Sequence, residues 1–335
     1  MKSLGIQLYY HAKELGIIGI WEVLKKYSFF KGVMNEMTAV LDKEKPDALL
    51  LVDYVGFNLR FAAIAKKRGY KVLYYVAPQV WSWKKNRIKD IKAYVDELVV
   101  LFPFEVEFFK KEGMKTHCFG HPLLDIAKPS LDKNTVWEKY GLDRDKQLVS
   151  LLPGSRKNEV LKHLPTLFKM AEFLNQQRQD LQFALPIAPT VSREDIEPYL
   201  EETTAKINVI ENDTYNIVGH SDVAAVASGT ATLETAILQT PLVIFYNTSL
   251  LTYIIGKHIV RIDRVGLPNI VADEDIVPEV IQVGFNPENL GREVLRILEN
   301  PEVAEKMRQD LARLKEKLGH PGAYEKTAEF FSQLI

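Results

Sequence analysis

Short apolar runs alternate with helix-length amphipathic stretches along most of the chain. The runs fall at residues 47–52 (DALLLV), 71–76 (KVLYYV), 97–101 (ELVVL), 147–152 (QLVSLL), 182–186, 207–210, 223–226 and 242–245. They are almost continuously hydrophobic, as strands covered on both faces are. Between them, residues 58–68, 105–112, 158–176 and 232–238 carry helical periodicity. The alternation predicts parallel sheets with helices on both faces. A polar stretch with a proline, 125–146, separates two such series, and from residue 287 the pattern is helical, with a break at 319–322. The expected architecture is α/β: two doubly wound parallel-sheet domains facing a cleft, with C-terminal helices crossing back. The expected boundaries are 1–128, a linker at 129–145, 146–318, and a last helix at 319–335. In such sheets ligands bind beyond the carboxyl ends of the strands.

Composition narrows the functional classes. The chain has 335 residues, 47% hydrophobic and 26% charged, which excludes disorder and suits two domains. Its 43 Lys and Arg against 44 Asp and Glu leave no global basic field for nucleic acid. One cysteine, Cys118, excludes an internal disulfide. The seven histidines form no HxH or HExxH pair, so no zinc site is expected. No uninterrupted apolar run reaches the ~18 residues of a membrane span.

Several residues at strand ends have chemistry to offer. Asp53 follows the run at 47–52 and can serve as a general base on a hydroxyl. It suits equally the N-cap of the following helix. In 152–156 (LPGSR) a strand meets a turn and then a helix. Unpaired first-turn N–H groups, with Ser155 and Arg156, make a place for a phosphate. An ordinary turn with a surface arginine is the alternative, and the Walker lysine spacing is absent. In 227–234 (ASGTATLE), Ser228, Gly229 and Thr230 again precede a helix. Glu234, one turn in, can accept two ribose hydroxyls or be merely solvated. Two anion-ready helix starts in one domain favour a diphosphate. Asn269, in GLPN, can bond a base or phosphate, with Glu279 and Gln282 downstream; a plain turn asparagine fits the local pattern better. His121, in GHP, reads similarly as a turn residue. Trp81 and Trp83 beside Lys84, Lys85 and Arg87 form either an interfacial patch or a core tryptophan with solvated cations. Ile17, Trp21 and Leu24 share one face of a helical stretch at 17–33, which suits a membrane-surface helix or a core-facing one.

Taken together, VDYVGFNLRFA, YYVAPQVWSWKKNRIKDI, FPFEVEFF, FGHPLLD, LLPGSRKNEV, ASGTATLETA and GLPNIV give the chain a resemblance to the lipid-A-disaccharide synthase family, glycosyltransferases of the GT-B fold. The resemblance implies transfer of diacylglucosamine from a UDP donor to the 6-hydroxyl of diacylglucosamine 1-phosphate. It implies inversion at the anomeric carbon, no cofactor or metal, and a location on the cytoplasmic face of the inner membrane. A homodimer is compatible with it. Asp53 matches the family's proposed general base, and Arg156 the arginine of its GSR motif. Ser228, Gly229, Thr230 and Glu234 match its nucleotide-binding turn and helix, and Asn269 the asparagine of its PN motif. Asn58, Trp81, Trp83, Lys84, Lys85, Arg87 and His121 fall on its acceptor or membrane side, with Ile17, Trp21 and Leu24.

The chain also departs from the family. The resemblance runs from about residue 18 to the end, and the family's opening strand and GExSGD loop find no counterpart. A late start codon, a fragment or a UDP-binding remnant without catalysis would each explain that. Val55 and Gly56 replace a Pro-Asp, Asn247 stands where a basic residue is common, and Asp273 and Glu274 replace a Gly-Arg. A different GT-B enzyme, acting on a UDP-N-acetylhexosamine, is the remaining alternative.

Overall fold

The computed structural model describes residues 5–10, 27–78, 80, 87–246, 264–281 and 284–335. The chain divides into two compact units. One holds Met1–Pro78, Asn86–Leu98 and Ile335, the other Gln79–Lys85 and Val99–Leu334.

The first unit contains helix α1 (Tyr27–Glu44), strand β1 (Ala48–Val52), α2 (Val55–Lys67), β2 (Lys71–Tyr75), α3 (Arg87–Tyr94) and the start of β3 (Glu97–Val99). β1 and β2 run parallel, with Ala48 opposite Lys71 and Val52 opposite Tyr75. Helix α2 buries Asn58, Phe61, Ala62 and Ala65. That spacing of three, four and seven places one face of a helix against a sheet. The core is built from Val72, Leu73, Tyr74, Ile91 and Leu98, all buried.

The second unit continues with α4 (Pro103–Lys111), β4 (Thr116–His117), α5 (Leu123–Ile126) and α6 (Lys133–Tyr140). Next come β5 (Gln147–Leu152), α7 (Lys157–Gln177), β6 (Leu181–Ile187), α8 (Arg193–Glu202), β7 (Ile207–Glu211) and α9 (Thr214–Val218). Strand β8 (Val223–Ala227), α10 (Thr230–Ile237), β9 (Leu242–Tyr246), α11 (Leu267–Ala272) and β10 (Glu279–Ile281) complete a six-stranded sheet. Helices α12 (Pro287–Glu299), α13 (Pro301–Lys317) and α14 (Ala323–Ser332) end the chain.

Both sheets are parallel. One is ordered β1-β2-β3-β4, so its strands follow the chain. The other is ordered β10-β9-β8-β5-β6-β7. There the chain winds outward from β5 to β7, returns to lay β8 on the other side of β5, and winds outward again. The reversal puts a topological switch point between β5 and β8, which pair from Val149–Val223 to Leu152–Val226. Both strands are covered on their two faces, as their apolar sequences require: β8 is buried throughout and β5 from Leu148 on.

Residues 129–145, expected as a linker, contain a folded element. Asp132 caps α6 by accepting N–H bonds from Asn134 and Thr135, and Gly141 ends the helix. Val136 and Trp137 are buried against Leu148 and Ala184. The polar composition hid this helix because only two of its residues face the core. The C-terminal segment is tied to residues 117–125. The Phe330 ring lies 4.2 Å from that of His117, and the Gly322 N–H donates to Asp125 Oδ1 at 2.6 Å.

Candidate functional site

The switch point opens onto a cavity of about 600 Å³ in the second unit. Its walls are the loops after β5, β6 and β7, together with α10. Ser155 and Glu234, singled out by the sequence, both line it, along with Gly154, Ala231 and Tyr215.

The loop after β5 is shaped by its neighbours. The Pro153 carbonyl lies 2.7 Å from Nδ1 of the buried His163 on α7. A carbonyl only accepts, so the ring proton is on Nδ1. The Ser155 carbonyl accepts the Thr190 hydroxyl from the loop after β6. Gly154 has φ +122°, a backbone region that favours glycine, and a Cβ there would also push aside the flexible Glu159 side chain, whose Oε2 would lie 2.6 Å away. Ser155 and Arg156 are exposed. Arg156 takes the N-cap position of α7 without a side-chain capping bond. Among the described residues its guanidinium has no ion-pair or hydrogen-bond partner. The first-turn N–H groups of a 21-residue helix are therefore preceded in the chain by an exposed arginine with no partner among the described residues.

The turn after β8 is held similarly. The Ser228 N–H donates to the Phe245 carbonyl at 2.8 Å, and its hydroxyl to the Val265 carbonyl at 3.3 Å. Gly229 has no heavy atom within 4 Å of where a Cβ would be, so its backbone is open to approach. Thr230 is exposed at the start of α10, which has no side-chain N-cap bond. Glu234 follows on the face that enters the cavity, and its Oε1 accepts the Tyr215 hydroxyl at 2.8 Å.

Asn269 has a different role from the ligand group that its loop position offered. It is 1% exposed. Its amide donates to the Val277 carbonyl at 2.9 Å and Glu279 Oε1 at 2.8 Å. Its carbonyl oxygen accepts the N–H groups of Ile276 and Val277 at 2.9 and 3.0 Å. Both donors and both lone pairs are thus spent inside the protein. Glu279 also accepts the N–H groups of Val265 and Gly266, each at 2.9 Å. The pair fixes the loop whose Val265 carbonyl holds Ser228. Gln282 lies outside the described residues.

In the first unit, Asp53 follows β1 and is exposed. It does not cap α2: that position belongs to Tyr54, which makes no side-chain bond. Among the described residues the Asp53 carboxylate has no hydrogen-bond partner. Its backbone, by contrast, is clamped. The Asp53 N–H donates to the Tyr75 carbonyl at 3.0 Å, and its carbonyl accepts Asn58 Nδ2 at 2.7 Å and the Tyr74 hydroxyl at 2.5 Å. Asn58 also donates to the Val52 carbonyl at 3.0 Å, so it acts here as a brace for the strand end. Asp53 and Tyr54 both have left-handed backbones, φ +48° and +42°. Consecutive non-glycine residues in that region cost ~1–2 kcal/mol each. Such strain persists where surrounding bonds over-determine it, and it clusters at functional positions. Burial, and after it the nearby Asp53 charge, push the Tyr74 phenol well above its ordinary value, so it stays a donor.

Arg87 is half-buried at the start of α3. His121, in the second unit, is buried. Trp81, Trp83, Lys84, Lys85, Ile17, Trp21 and Leu24 lie outside the described residues. Tyr215 and His163 escaped sequence reasoning, because each acts through a contact that neither turn chemistry nor periodicity signals.

Residues 1–334 match the family described as Lipid-A-disaccharide synthetase. The lipid-A-disaccharide synthase of Syntrophus aciditrophicus is 39% identical over 340 residues, covering all of this chain and 88% of the relative. Those of Persephonella marina and Coxiella burnetii are 39% and 36% identical, covering all of this chain and 90% and 88% of theirs. The chain belongs to this family. Among solved structures, a UDP-GlcNAc 2-epimerase from Neisseria meningitidis bound to UDP-GlcNAc superposes with a TM-score of 0.65 at 17% identity, over 99% of this chain and 87% of that one. A glycosyltransferase from Rickettsia africae gives 0.58 at 14%, over 99% and 86%. At such identities the likeness shows the fold alone, which is GT-B. The family match reaches residue 1, ahead of the start near residue 18 expected for the resemblance.

Proposed function

We propose that this chain is a lipid-A-disaccharide synthase, an inverting glycosyltransferase of lipid A biosynthesis that takes diacylglucosamine from UDP-diacylglucosamine to diacylglucosamine 1-phosphate. The observation that carries this reading is the family match over residues 1–334. The cavity at the switch point supports the donor half. Glu234 accepts ribose hydroxyls there, and the diphosphate lies toward Ser155, Arg156 and the N–H groups that open α7 and α10.

Asp53 is the base. It takes the proton of the acceptor 6-hydroxyl as that oxygen attacks the donor anomeric carbon from the face opposite the phosphate. The bond from that carbon to the phosphate oxygen breaks, its electron pair leaves with UDP, and the new link is inverted. Charge develops on the leaving diphosphate, and Arg156 with the backbone N–H groups is placed to stabilise it, in a step that on this reading needs no metal. The carboxylate held free beyond a strained, braced strand end supports the assignment of Asp53. Contact with the cytoplasmic face of the inner membrane is part of the proposal and rests on the sequence pattern of residues 17–33 and 81–87. Among the described residues no helix is long and apolar enough to cross a membrane.

The test is disaccharide 1-phosphate formation from the two acylated sugars, with Asp53→Asn beside the wild type. The variant should lose turnover by ~10²–10⁴-fold, the usual worth of a general base, and bind UDP within about twofold of wild type. Near-normal turnover by Asp53→Asn removes Asp53 from the role. UDP binding with no disaccharide, even at high enzyme concentration, sinks the catalytic reading and favours a UDP-binding remnant. Epimerised UDP-sugar would instead make the chain a 2-epimerase on the same fold.

A further inference from the structure

Among the described residues Glu234 is the one carboxylate lining the cavity apart from Asp213, and Asp213 is already engaged. Asp213 is ion-paired with Lys139 at 2.7 Å and also accepts from Tyr140 and Asn216. Glu234 has a single partner among the described residues, the Tyr215 hydroxyl at 2.8 Å on Oε1. Its Oε2 has none. A glutamate on a helix surface is otherwise free to turn about three side-chain bonds, and fixing it costs up to ~2 kcal/mol of rotamer entropy. Tyr215 removes that freedom before any ligand arrives. It comes from α9, behind β7, and is half-buried in the cavity wall. Helix α9 is itself fixed, because the buried Asn216 accepts the Ser130 and Leu131 N–H groups at 2.7 and 2.9 Å.

We infer that Tyr215 is a positioning residue for nucleotide recognition: its hydroxyl holds Glu234 in the rotamer that leaves Oε2 and the second lone pair of Oε1 for the two hydroxyls of a ribose. The inference rests on the nucleotide reading of the cavity and adds to it the group that makes the carboxylate selective for a ribonucleotide. A phenol suits the task. It donates one strong hydrogen bond to the carboxylate and brings no charge to compete with the diphosphate. Burial, and after it the hydrogen bond to Glu234 and that group's charge, hold the phenol far above its ordinary ionisation range, so the donor persists at any working pH.

The experiment is isothermal titration of the full chain with UDP and with 2′-deoxy-UDP, for wild type, Tyr215→Phe, Glu234→Gln and the double variant. Wild type should prefer UDP by about tenfold, the worth of one hydrogen bond to a charged group. Tyr215→Phe should lower that preference to about twofold by weakening UDP, with 2′-deoxy-UDP within about twofold of its wild-type Kd. In the Glu234→Gln background, removing the hydroxyl should change the ratio no further. A wild-type preference retained by Tyr215→Phe overturns the inference, whether or not both nucleotides bind more weakly, since a purely structural role would weaken them alike. Additive effects in the double variant overturn it too. If wild type binds neither nucleotide, the nucleotide reading of the cavity fails, and the inference falls with it. If wild type binds and discriminates while Tyr215→Phe is unchanged, only the role of Tyr215 falls.

Discussion

His121 shows how tertiary context reassigns a residue. Its ring is 4% exposed, lies 5.0 Å from that of Phe102, and accepts the Leu123 N–H on Nδ1 at 3.2 Å. An accepting Nδ1 places the proton on Nε2 and makes the ring neutral. Burial agrees, pushing its pKa down to about 4 from an ordinary 6.5. The unfolded chain takes up a proton near pH 6.5 and the folded one only near pH 4, so between those values the unfolded state holds more protons. Stability is therefore full above about pH 6.5 and falls as the pH drops toward 4. The loss at pH 4 from this residue is about 3 kcal/mol. Denaturant unfolding from pH 7 to 4 checks this. His121→Gln should show a shallower decline than wild type by about that amount, and parallel curves would mean that the ring is not held neutral. A glycine-histidine-proline string gives no hint of this environment, because Phe102 lies 19 positions away in the chain.

At the scale of elements, the sequence was most legible where burial was most complete. Strands β5, β6 and β8 are buried over nearly all their length, and their bounds differ from the apolar runs by no more than a residue at either end. β4 and β10 have only two and three residues, too short for any periodicity, and α6 was masked by its polar surface. The candidate site divides similarly. Strand-end turns that carry Ser155, Arg156 and Ser228 follow from local chemistry. The saturation of Asn269 and the Tyr215–Glu234 bond depend on pairings across other elements, so the chain order conceals them. Connections of this kind have measurable weight. Gly120 has φ +100°, and a Cβ there would meet the His320 carbonyl oxygen at 2.3 Å. That atom is backbone and cannot swing aside. Gly141, at φ +60°, has nothing within 4 Å. Gly141→Ala should cost only the conformational penalty, ~1–2 kcal/mol. Gly120→Ala should cost at least ~1 kcal/mol more, since backbone must move as well. Thermal unfolding of the two variants checks the difference, and equal losses would show that residues 318–322 adjust freely to the loop at 120.

For the whole molecule, the question is where a dianionic nucleotide settles on a chain whose net charge is −1. The global field is too weak to choose, so local uncompensated charge decides. A second cavity of similar size, about 560 Å³, is lined by Arg264, Arg296 and Lys306. All three cations are already paired. Arg264 holds Asp273 and Asp275 at 2.8 and 2.7 Å, Arg296 holds Glu293 at 2.9 Å, and Lys306 holds Asp310 at 2.7 Å. A diphosphate arriving there would have to displace carboxylates from formed ion pairs. Beside the switch-point cavity Arg156 has no such partner among the described residues, and the helices that follow β5 and β8 both start without a side-chain cap. Ligand binding stabilises the native state by about 2.7 kcal/mol at a concentration of 100 Kd. Hydrogen–deuterium exchange would show where that stabilisation is felt. With UDP alone, slower exchange is expected at residues 152–159, 186–190, 212–216 and 228–235, and none at 48–75. Protection centred instead on 264–281 and 296–310 would put the nucleotide in the second cavity and make free local charge the wrong guide to this site. Protection at the switch point, absent in Arg156→Ala at the same UDP concentration, would establish that the unpaired guanidinium selects between two cavities that differ little in volume.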